Sequence, residues 1–213
     1  MDGQRSYWDR VATKKTFTHP LNEAWLTQTI SQDARLLDYG CGYGRTLNDL
    51  ALLGFMNTVG VDFAPQMVAR GKRDFPHLNL RAVRALPLSE ADASFDAVLL
   101  LAVQTCIPND QEQEALLSEL RRLLRPGGML YISDMPLQAD ERNRRRYAEA
   151  KPRFGTYGVF KTDDGAVVRH HRSARLDVLL GGFERVATQD VQLSTMNGNL
   201  ATAVQILARR LNF

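Results

Sequence analysis

The hydrophobic residues of this chain form short apolar runs that alternate with longer amphipathic stretches. The runs, rich in Leu, Val and Ile, predict buried strands. These strands are expected at 35–39, 58–62, 79–83, 95–101 and 129–133. Between them, apolar positions recur at helical spacing, which predicts a helix at 44–53, a helix with Pro65 in its first turn, and a helix at 111–124 with Asp110 as its N-cap. This alternation predicts an α/β protein built on a mostly parallel sheet.

The two ends of the chain follow different patterns. Two N-terminal helices, at 5–13 and 20–30, are predicted on either side of a break at Thr18-His19-Pro20. After the parallel strands, the Asp-Gly in residues 162–165 predicts the turn of a hairpin. The other predicted elements of this half are an Arg-rich helix at 138–150, hairpin strands at 157–161 and 166–170, a helix at 173–180, and strands at 184–193 and 202–209. The last two strands would form an antiparallel edge.

Three glycines at alternate positions, Gly40, Gly42 and Gly44, follow the first strand. A strand, a glycine turn and a helix bring backbone N–H groups close to a ligand, because residues without Cβ leave room. The spacing lacks the Gly-x-Gly-x-x-Gly of dinucleotide sites, and no Gly-Lys-Ser/Thr of a phosphate-binding loop is present. Asp38, just before the glycines, would repel phosphate and suits a cationic ammonium group. The predicted ligand is a nucleoside that carries a positive charge.

A second carboxylate, Asp62, ends the next predicted strand, where an acid commonly binds ribose hydroxyls. At this point the chain resembles the class I S-adenosylmethionine-dependent methyltransferases, with their first motif at Leu37–Gly44 and their ribose-binding acid at Asp62. The resemblance spans about residues 34–135. Its further motifs are similar to Leu86-Pro87-Leu88, to Ser94–Val98, and to Leu120–Leu130, which contains Pro-Gly-Gly.

The resemblance implies a fold, a cofactor and a set of binding residues. The implied fold is a Rossmann-like three-layer sandwich with a mostly parallel seven-stranded sheet and an antiparallel C-terminal edge. It implies a single domain over 1–213, divided into a helical lid (1–30), a cofactor-binding half (34–135), a substrate-cap insertion after strand five (136–171) and the sheet edge (172–213). The implied cofactor is S-adenosyl-L-methionine, with S-adenosyl-L-homocysteine as product. Residues expected to bind it are Tyr7, Asp38, Gly40, Gly42, Gly44, Asp62, Phe63, Met67, Ala85, Leu86 and Leu101.

One position departs from the family pattern. Members of the family often hold the adenine amino group with an acid at the position that is Ala82 here. We therefore expect adenine to be recognised by backbone groups near 83–86 and by apolar walls such as Phe63.

The acceptor is expected to meet residues 7–20 and 135–171, which should fold over the mouth of the cofactor site. Candidate catalytic residues in these segments are His19, His170 and Tyr157, which could accept a proton from an amine or hydroxyl. Each histidine is expected to titrate near neutral pH. Because neighbours on a strand point to opposite sides, at most one of His170 and His171 should face a pocket, and no metal site is expected. The arginines at 142–146 are more typical of a solvated helix face than of an anion site.

The predicted function is in-line methyl transfer to a small-molecule acceptor, most readily at nitrogen or oxygen. A nucleic-acid enzyme is disfavoured, because the Asn/Asp-Pro-Pro-aromatic motif of base-modifying relatives is replaced by Leu101-Ala102-Val103-Gln104. An RNA or protein methyltransferase and a non-catalytic S-adenosylmethionine-binding module remain the alternatives.

Composition adds little to this picture. The net charge of +3 is mild and does not by itself indicate a nucleic-acid partner. Cys41 lies inside the glycine turn, so a disulfide with Cys106 is not expected, and Cys106 is interpreted as an apolar core thiol. No apolar run is long enough for a signal core or a bilayer span. We expect a cytoplasmic monomer or homodimer without membrane or nucleic-acid partners.

Overall fold

The computed structural model describes residues 2–212 and is organised around a seven-stranded sheet. The strands of this sheet are β1 Leu36–Tyr39, β2 Thr58–Asp62, β3 Leu80–Ala82, β4 Phe95–Leu101, β5 Leu124–Asp134, β8 Phe183–Ser194 and β9 Leu200–Arg210. Their order is β3-β2-β1-β4-β5-β9-β8, with β1 to β5 parallel and β9 antiparallel to both of its neighbours. The predicted Rossmann-like sheet with an antiparallel C-terminal edge is confirmed.

Helices cover both faces of this sheet. They are α1 Asp2–Val11, α2 Glu23–Thr29, α3 Arg45–Leu52, α4 Pro65–Asp74, α5 Asp110–Leu123, α6 Glu141–Phe154 and α7 Ser173–Leu179. On β1, Leu37 packs into the core cluster that contains α5 and α7, whereas its neighbour Leu36 packs into the cluster that contains α2. Alternate side chains of a strand point to opposite faces, so a run of consecutive apolar residues fills both cores at once.

The N-terminal helix lies over the carboxyl-terminal side of the sheet. Tyr7 and Trp8 of α1 are buried in one cluster with Tyr43 of the glycine turn, Met67 of α4 and Ala166 of the hairpin turn. That hairpin consists of β6 Val159–Lys161 and β7 Val167–Arg169, which form a separate two-stranded sheet. The glycine turn, α1 and the hairpin are therefore held together by shared aromatic and aliphatic contacts.

Several predicted boundaries are corrected by local hydrogen bonds. The N-cap of α5 is Asn109 and not Asp110, because the Asn109 side chain accepts a hydrogen bond from Glu112 N at 3.0 Å. The Arg-rich helix starts at Glu141 and not at 138, because Asp140 caps it by accepting from Asn143 N at 3.0 Å. It ends at Phe154, before a left-handed glycine.

The hairpin strands are shorter than predicted, since only residues 159–161 and 167–169 pair. Tyr157 consequently lies in the turn before β6 and not on the strand. In the described part of the chain, no helix combines the length and the apolar character that crossing a membrane requires.

The buried face of α5 contributes several leucines to the larger core cluster. We therefore expect truncation of one of these leucines to destabilise the fold strongly. Leu120→Ala should lower the free energy of unfolding by about 2–5 kcal/mol, because Leu120 is fully buried and truncation leaves a cavity. Leu52→Ala is the matched control, since Leu52 is 82% exposed and its truncation should change stability by no more than about 0.5 kcal/mol. Urea denaturation of the two variants measures the difference. Equal effects would contradict this assignment of the core.

Candidate active site

A deep cleft opens at the carboxyl ends of the parallel strands, with about 1410 Å³ of empty space including its mouth. Asp38, Asp62 and Leu101 line it at the ends of β1, β2 and β4. α1 and the segment that follows it form one wall, and α6, the hairpin and the β8–β9 turn form the other. Open α/β sheets bind their ligands at this edge.

The glycine turn takes backbone conformations that only glycine adopts readily. Gly40, Gly42 and Gly44 have φ values of +74°, +55° and +83°. Gly40 N and Cys41 N both donate to Val61 O, at 2.8 and 3.1 Å, which ties the turn to the end of β2.

Asp38 is a buried carboxylate that faces the cleft and is not fully paired. It is 2% exposed, and its Oδ2 has no hydrogen-bond partner among the described residues. Burial raises the pKa of Asp38 from its usual 3.8 to about 8, against the opposing influence of the Arg45 guanidinium. A cationic ligand at this point would supply the missing partner. The side chain therefore fits an ammonium group, as the sequence predicts.

Asp62 organises the floor of the cleft. Its Oδ2 accepts a hydrogen bond from Gly42 N and its Oδ1 accepts one from Ala64 N, both at 2.8 Å. Burial raises the pKa of Asp62 to about 6, while these N–H donors act in the opposite direction. Each oxygen keeps further acceptor capacity toward the cleft, which Asp62 lines.

Most of the predicted site residues lie on this cleft. Those that line it are Tyr7, His19, Asp38, Gly40, Asp62, Phe63, Met67, Leu101 and His170. Their roles in binding or catalysis remain predictions, but the fold brings them to one surface.

Five predicted site residues lie elsewhere. A Cβ on Gly44 would contact the side chains of Leu78 and Leu80, so the missing side chain leaves room for these two core residues and not for a ligand. Ala85 is exposed beyond β3, and Leu86 packs against the large core cluster. Tyr157 packs edge-on against Tyr147 with ring centroids 5.3 Å apart, and it does not line the cleft.

The fifth residue, Gly42, is covered by the chain itself. A Cβ on Gly42 would lie 2.0 Å from the ring of Phe17, which in turn stacks on Tyr43 with centroids 4.9 Å apart. The sequence assigns the space above Gly42 to the cofactor, whereas the structure fills it with Phe17. A larger residue at 42 would therefore first displace the segment after α1.

The two histidines that line the cleft are buried and uncharged. Burial and the Arg45 guanidinium lower the pKa of His19 to about 4, and its Nδ1 lies 2.9 Å from Ser133 Oγ. Burial and the Arg146 guanidinium lower the pKa of His170 to about 3, and its Nδ1 lies 2.5 Å from the Tyr147 hydroxyl. The expectation that they titrate near neutral pH is wrong, because loss of solvent disfavours the imidazolium form.

His171 points away from the cleft, toward α5. It is 1% exposed, and its Nε2 lies 2.8 Å from Gln113 Nε2. Its Nδ1 lies 3.8 Å from the buried carboxylate of Asp134. The two adjacent histidines thus face opposite sides, and only His170 lies on the cleft.

The sequence pattern does not predict a group of polar contacts that crosses the mouth of the cleft. Asp164, in the hairpin turn, accepts a hydrogen bond from the Tyr7 hydroxyl at 2.8 Å and pairs with Lys15 at 2.5 Å. Burial tends to raise the pKa of Asp164, but these partners and Thr162 lower it below the usual 3.8. Lys15 also donates to the side chain of Asn197 in the β8–β9 turn. No local pattern links these positions, because they are distant in sequence.

The sequence also predicts a solvated face for the arginines of α6, but two of them reach the cleft. Arg142 and Arg146 line it, although the Arg142 side chain is still 43% exposed, whereas Arg144 and Arg145 are exposed and do not line it. The i, i+4 spacing of Arg142 and Arg146 within a predicted helix is the signal that could have grouped them on one face.

Cys106 also lines the cleft, with its thiol 3.2 Å from Ala102 O, and burial raises its pKa.

Comparison with known proteins agrees with this architecture. A family model described as a methyltransferase domain matches residues 37–132. A structure of an S-adenosylmethionine-dependent methyltransferase from Methanosarcina mazei superposes with a TM-score of 0.81 at 25% identity, covering 88% of this chain and 97% of that one.

Two similar proteins act on different kinds of acceptor according to their names. A ribosomal protein L11 methyltransferase from Ralstonia nicotianae is 32% identical over 158 residues, which is 73% of this chain and 50% of that protein. A demethylmenaquinone methyltransferase from Beutenbergia cavernae is 41% identical over 100 residues, or 47% of this chain and 40% of that protein. The chain thus spans about half the length of the L11 methyltransferases it matches.

The chain belongs to the class I S-adenosylmethionine-dependent methyltransferase family. The predictions of this family and of S-adenosylmethionine as its cofactor are confirmed. The fit within the cleft rests on Asp38, whose unpaired buried oxygen matches the ammonium group of that cofactor.

The environment of Asp38 predicts a pH-dependent cost in the ligand-free protein. Its pKa is raised on folding, so between about pH 4 and pH 8 the unfolded chain ionises this group while the folded protein keeps it protonated, and stability falls across that range as the pH rises. Asp38→Asn should therefore raise the free energy of unfolding by on the order of 2 kcal/mol at pH 8 and by little at pH 4. Denaturant titrations of both proteins at several pH values measure this difference. A constant difference across that range would contradict the buried-carboxylate account.

Proposed function

We propose that this protein transfers a methyl group from S-adenosylmethionine to a small-molecule acceptor held in the same cleft. The single observation that carries the proposal is the combination, on one surface, of the unpaired Asp38 carboxylate with a wall of aromatic and polar side chains. When bound, the cofactor supplies a methyl group already activated on a sulfonium. The protein's task is then mainly to position the acceptor and to exclude water.

The roles of the individual residues follow from their contacts. Asp38 would hold the ammonium group and Asp62 the ribose hydroxyls, while the apolar side chains of Phe63 and Met67 would flank the nucleoside. The segment that contains Tyr7 and Phe17 would cover the cofactor, because Phe17 already lies over Gly42 of the glycine turn and the Tyr7 hydroxyl donates a hydrogen bond to Asp164. Adenine would lack the usual acidic partner, since that position is Ala82, at the end of the edge strand β3.

His19 and His170 are the remaining candidates for accepting a proton. Both stay neutral throughout the physiological range, so each can accept a proton at any such pH but is a weak base. Tyr157 is not part of this proposal, because it packs against Tyr147 outside the cleft.

The segments that bridge the mouth of the cleft support a small acceptor over a protein chain. The hairpin turn, the β8–β9 turn and the segment after α1 meet across its mouth through Asp164, Asn197 and Lys15. A protein substrate is the second candidate, because the similarity to L11 methyltransferases extends over 73% of the chain. We also propose a cytoplasmic location, since both Cys41 and Cys106 are free thiols.

Cofactor binding is tested by calorimetry with S-adenosylhomocysteine. The protein should bind it, and Asp38→Asn should weaken binding at least about tenfold, because a charge-assisted hydrogen bond is lost. Asp190→Asn is the control, since Asp190 is exposed on the edge strand β8 and should not affect binding. Absence of binding to the unmodified protein would overturn the proposed function.

Acceptor class is tested with radiolabelled S-adenosylmethionine, offering a panel of small heteroaromatic and phenolic compounds in parallel with purified ribosomal protein L11. We expect label in the small-molecule fraction. Label in L11 alone would replace the proposal with its second candidate.

The buried histidines predict a flat pH dependence. With an accepted small molecule and saturating S-adenosylmethionine, which would pair with Asp38 and Asp62, kcat should vary little between pH 6 and 8, because neither His19 nor His170 changes charge in that range. If His170 takes the proton, His170→Gln should lower kcat roughly tenfold or more and leave S-adenosylhomocysteine affinity unchanged. His77→Gln is the control, since His77 is exposed outside the cleft. Unchanged kcat in both His19→Gln and His170→Gln would leave positioning as the whole mechanism.

A further inference from the structure

Helix α6 presents two of its arginines to the acceptor side of the cleft. Arg142 and Arg146 are one helical turn apart and both line the cleft, together with Phe160 and His170 of the hairpin. Arg144 and Arg145, between them in sequence, are exposed and do not line the cleft. Arg146 is partly buried, whereas Arg142 lies at the rim of the cleft with a side chain that is 43% exposed.

The environment of Arg146 orders its guanidinium without neutralising it. Its Cζ lies 3.7 Å over the ring of Phe160, and the side chain is partly buried. Its side chain has a hydrogen bond with Tyr147, but its Nε is buried without a partner, and no carboxylate of residues 2–212 forms an ion pair with it. A stacked guanidinium keeps its remaining N–H donors in a fixed fork, which matches a carboxylate or a phosphate.

The charges around this pair leave the region cationic. Arg142 has only a long contact of 3.9 Å with Asp140, which is itself bonded to Asn143 at the start of the helix. Asp164 of the hairpin turn, the acid that lines the cleft there, is already paired with Lys15. By contrast, Arg45 on the cofactor side is neutralised by Asp49 at 2.9 Å. A partly buried cation without a counter-ion is costly unless a ligand supplies one.

We propose that Arg142 and Arg146 form a subsite for an anionic group of the acceptor, a carboxylate or a phosphate, so that the methyl acceptor is an acidic compound. This inference rests on the proposed function and specifies its substrate class. The aromatic ring of Phe160 and the apolar residues Met135 and Leu193 on the same wall would contact the body of the acceptor. Burial lowers the pKa of Arg146 by disfavouring its charged form, and an anion paired with the guanidinium would offset that cost.

The test measures binding and does not depend on turnover. The probes are aromatic carboxylates with their primary amides, and aryl phosphates with their parent phenols, titrated by ligand-observed NMR into protein saturated with S-adenosylhomocysteine. The unmodified protein should bind an acid at least about tenfold more tightly than its neutral partner. The two probe series distinguish a carboxylate from a phosphate.

Three variants assign the effect to the subsite. Arg146→Gln should abolish the preference for the acid, and Arg146→Lys should keep only part of it, because an ammonium group lacks the planar fork. Arg145→Gln is the matched control on the same helix, with a side chain that is 70% exposed, and it should bind as the unmodified protein does. Thermal melting of each variant confirms folding.

The same experiment separates this inference from the proposed function. S-adenosylhomocysteine affinity should be the same in Arg146→Gln as in the unmodified protein. A loss of that affinity would show that Arg146 pairs with the cofactor carboxylate, which overturns the acceptor subsite. Equal binding of acids and neutral partners would overturn it as well, whereas failure of S-adenosylhomocysteine to bind at all would overturn the proposed function.

Discussion

The carboxylate of Asp62 joins the two loops on which the cleft depends. One oxygen fixes the glycine turn after β1 through Gly42 N, and the other fixes the start of α4 through Ala64 N. These loops follow adjacent parallel strands, so a single buried side chain sets their separation. Its own burial is tolerated because each oxygen accepts an N–H donor, which is the condition for keeping a carboxylate in the interior. Asp38, in the neighbouring strand, lacks that compensation and is left for a ligand to satisfy.

This contrast separates groups that hold the fold from groups that are available for binding. Buried polar atoms in folded proteins are nearly always paired, so unpaired ones on a cleft are informative. Along this cleft, four polar atoms are buried without partners among the described residues: Asp38 Oδ2, Arg45 Nε, Asn143 Oδ1 and Arg146 Nε. In the function proposed above, Asp38 faces the cofactor and Arg146 faces the acceptor. The cofactor's ammonium group would then favour the ionised form of Asp38, whose pKa burial raises, and an anionic acceptor would pair with the Arg146 guanidinium.

The parallel half of the fold was predictable because its signals are local. Apolar runs such as 95–101 must be buried on both faces, and the glycines after β1 require positive φ, so strand, turn and helix are encoded within a few residues. Boundaries were less predictable, since Asn109 and Asp110 are equally good N-caps by type and only the geometry selects Asn109. Tyr157 was misplaced for a related reason. The hairpin pairs over only three residues on each strand, and alternation cannot be extended past the last pair.

The contacts between α1 and the hairpin across the mouth of the cleft could not be predicted from the sequence pattern, because they join segments that are far apart in the chain. Tyr7 and Asp164 meet across 157 residues, and nothing near either position indicates the other. The same is true of protonation. By residue type, His19 and His170 are expected to titrate near neutral pH, but burial lowers the pKa of both in the folded protein. Arg146 shows the converse. Its position in a run of arginines predicts a solvated side chain, but in the fold its guanidinium stacks on the ring of Phe160. In the function proposed here, the choice of acceptor therefore depends on which polar groups along the cleft are left unpaired, and not on the motif that identifies the family.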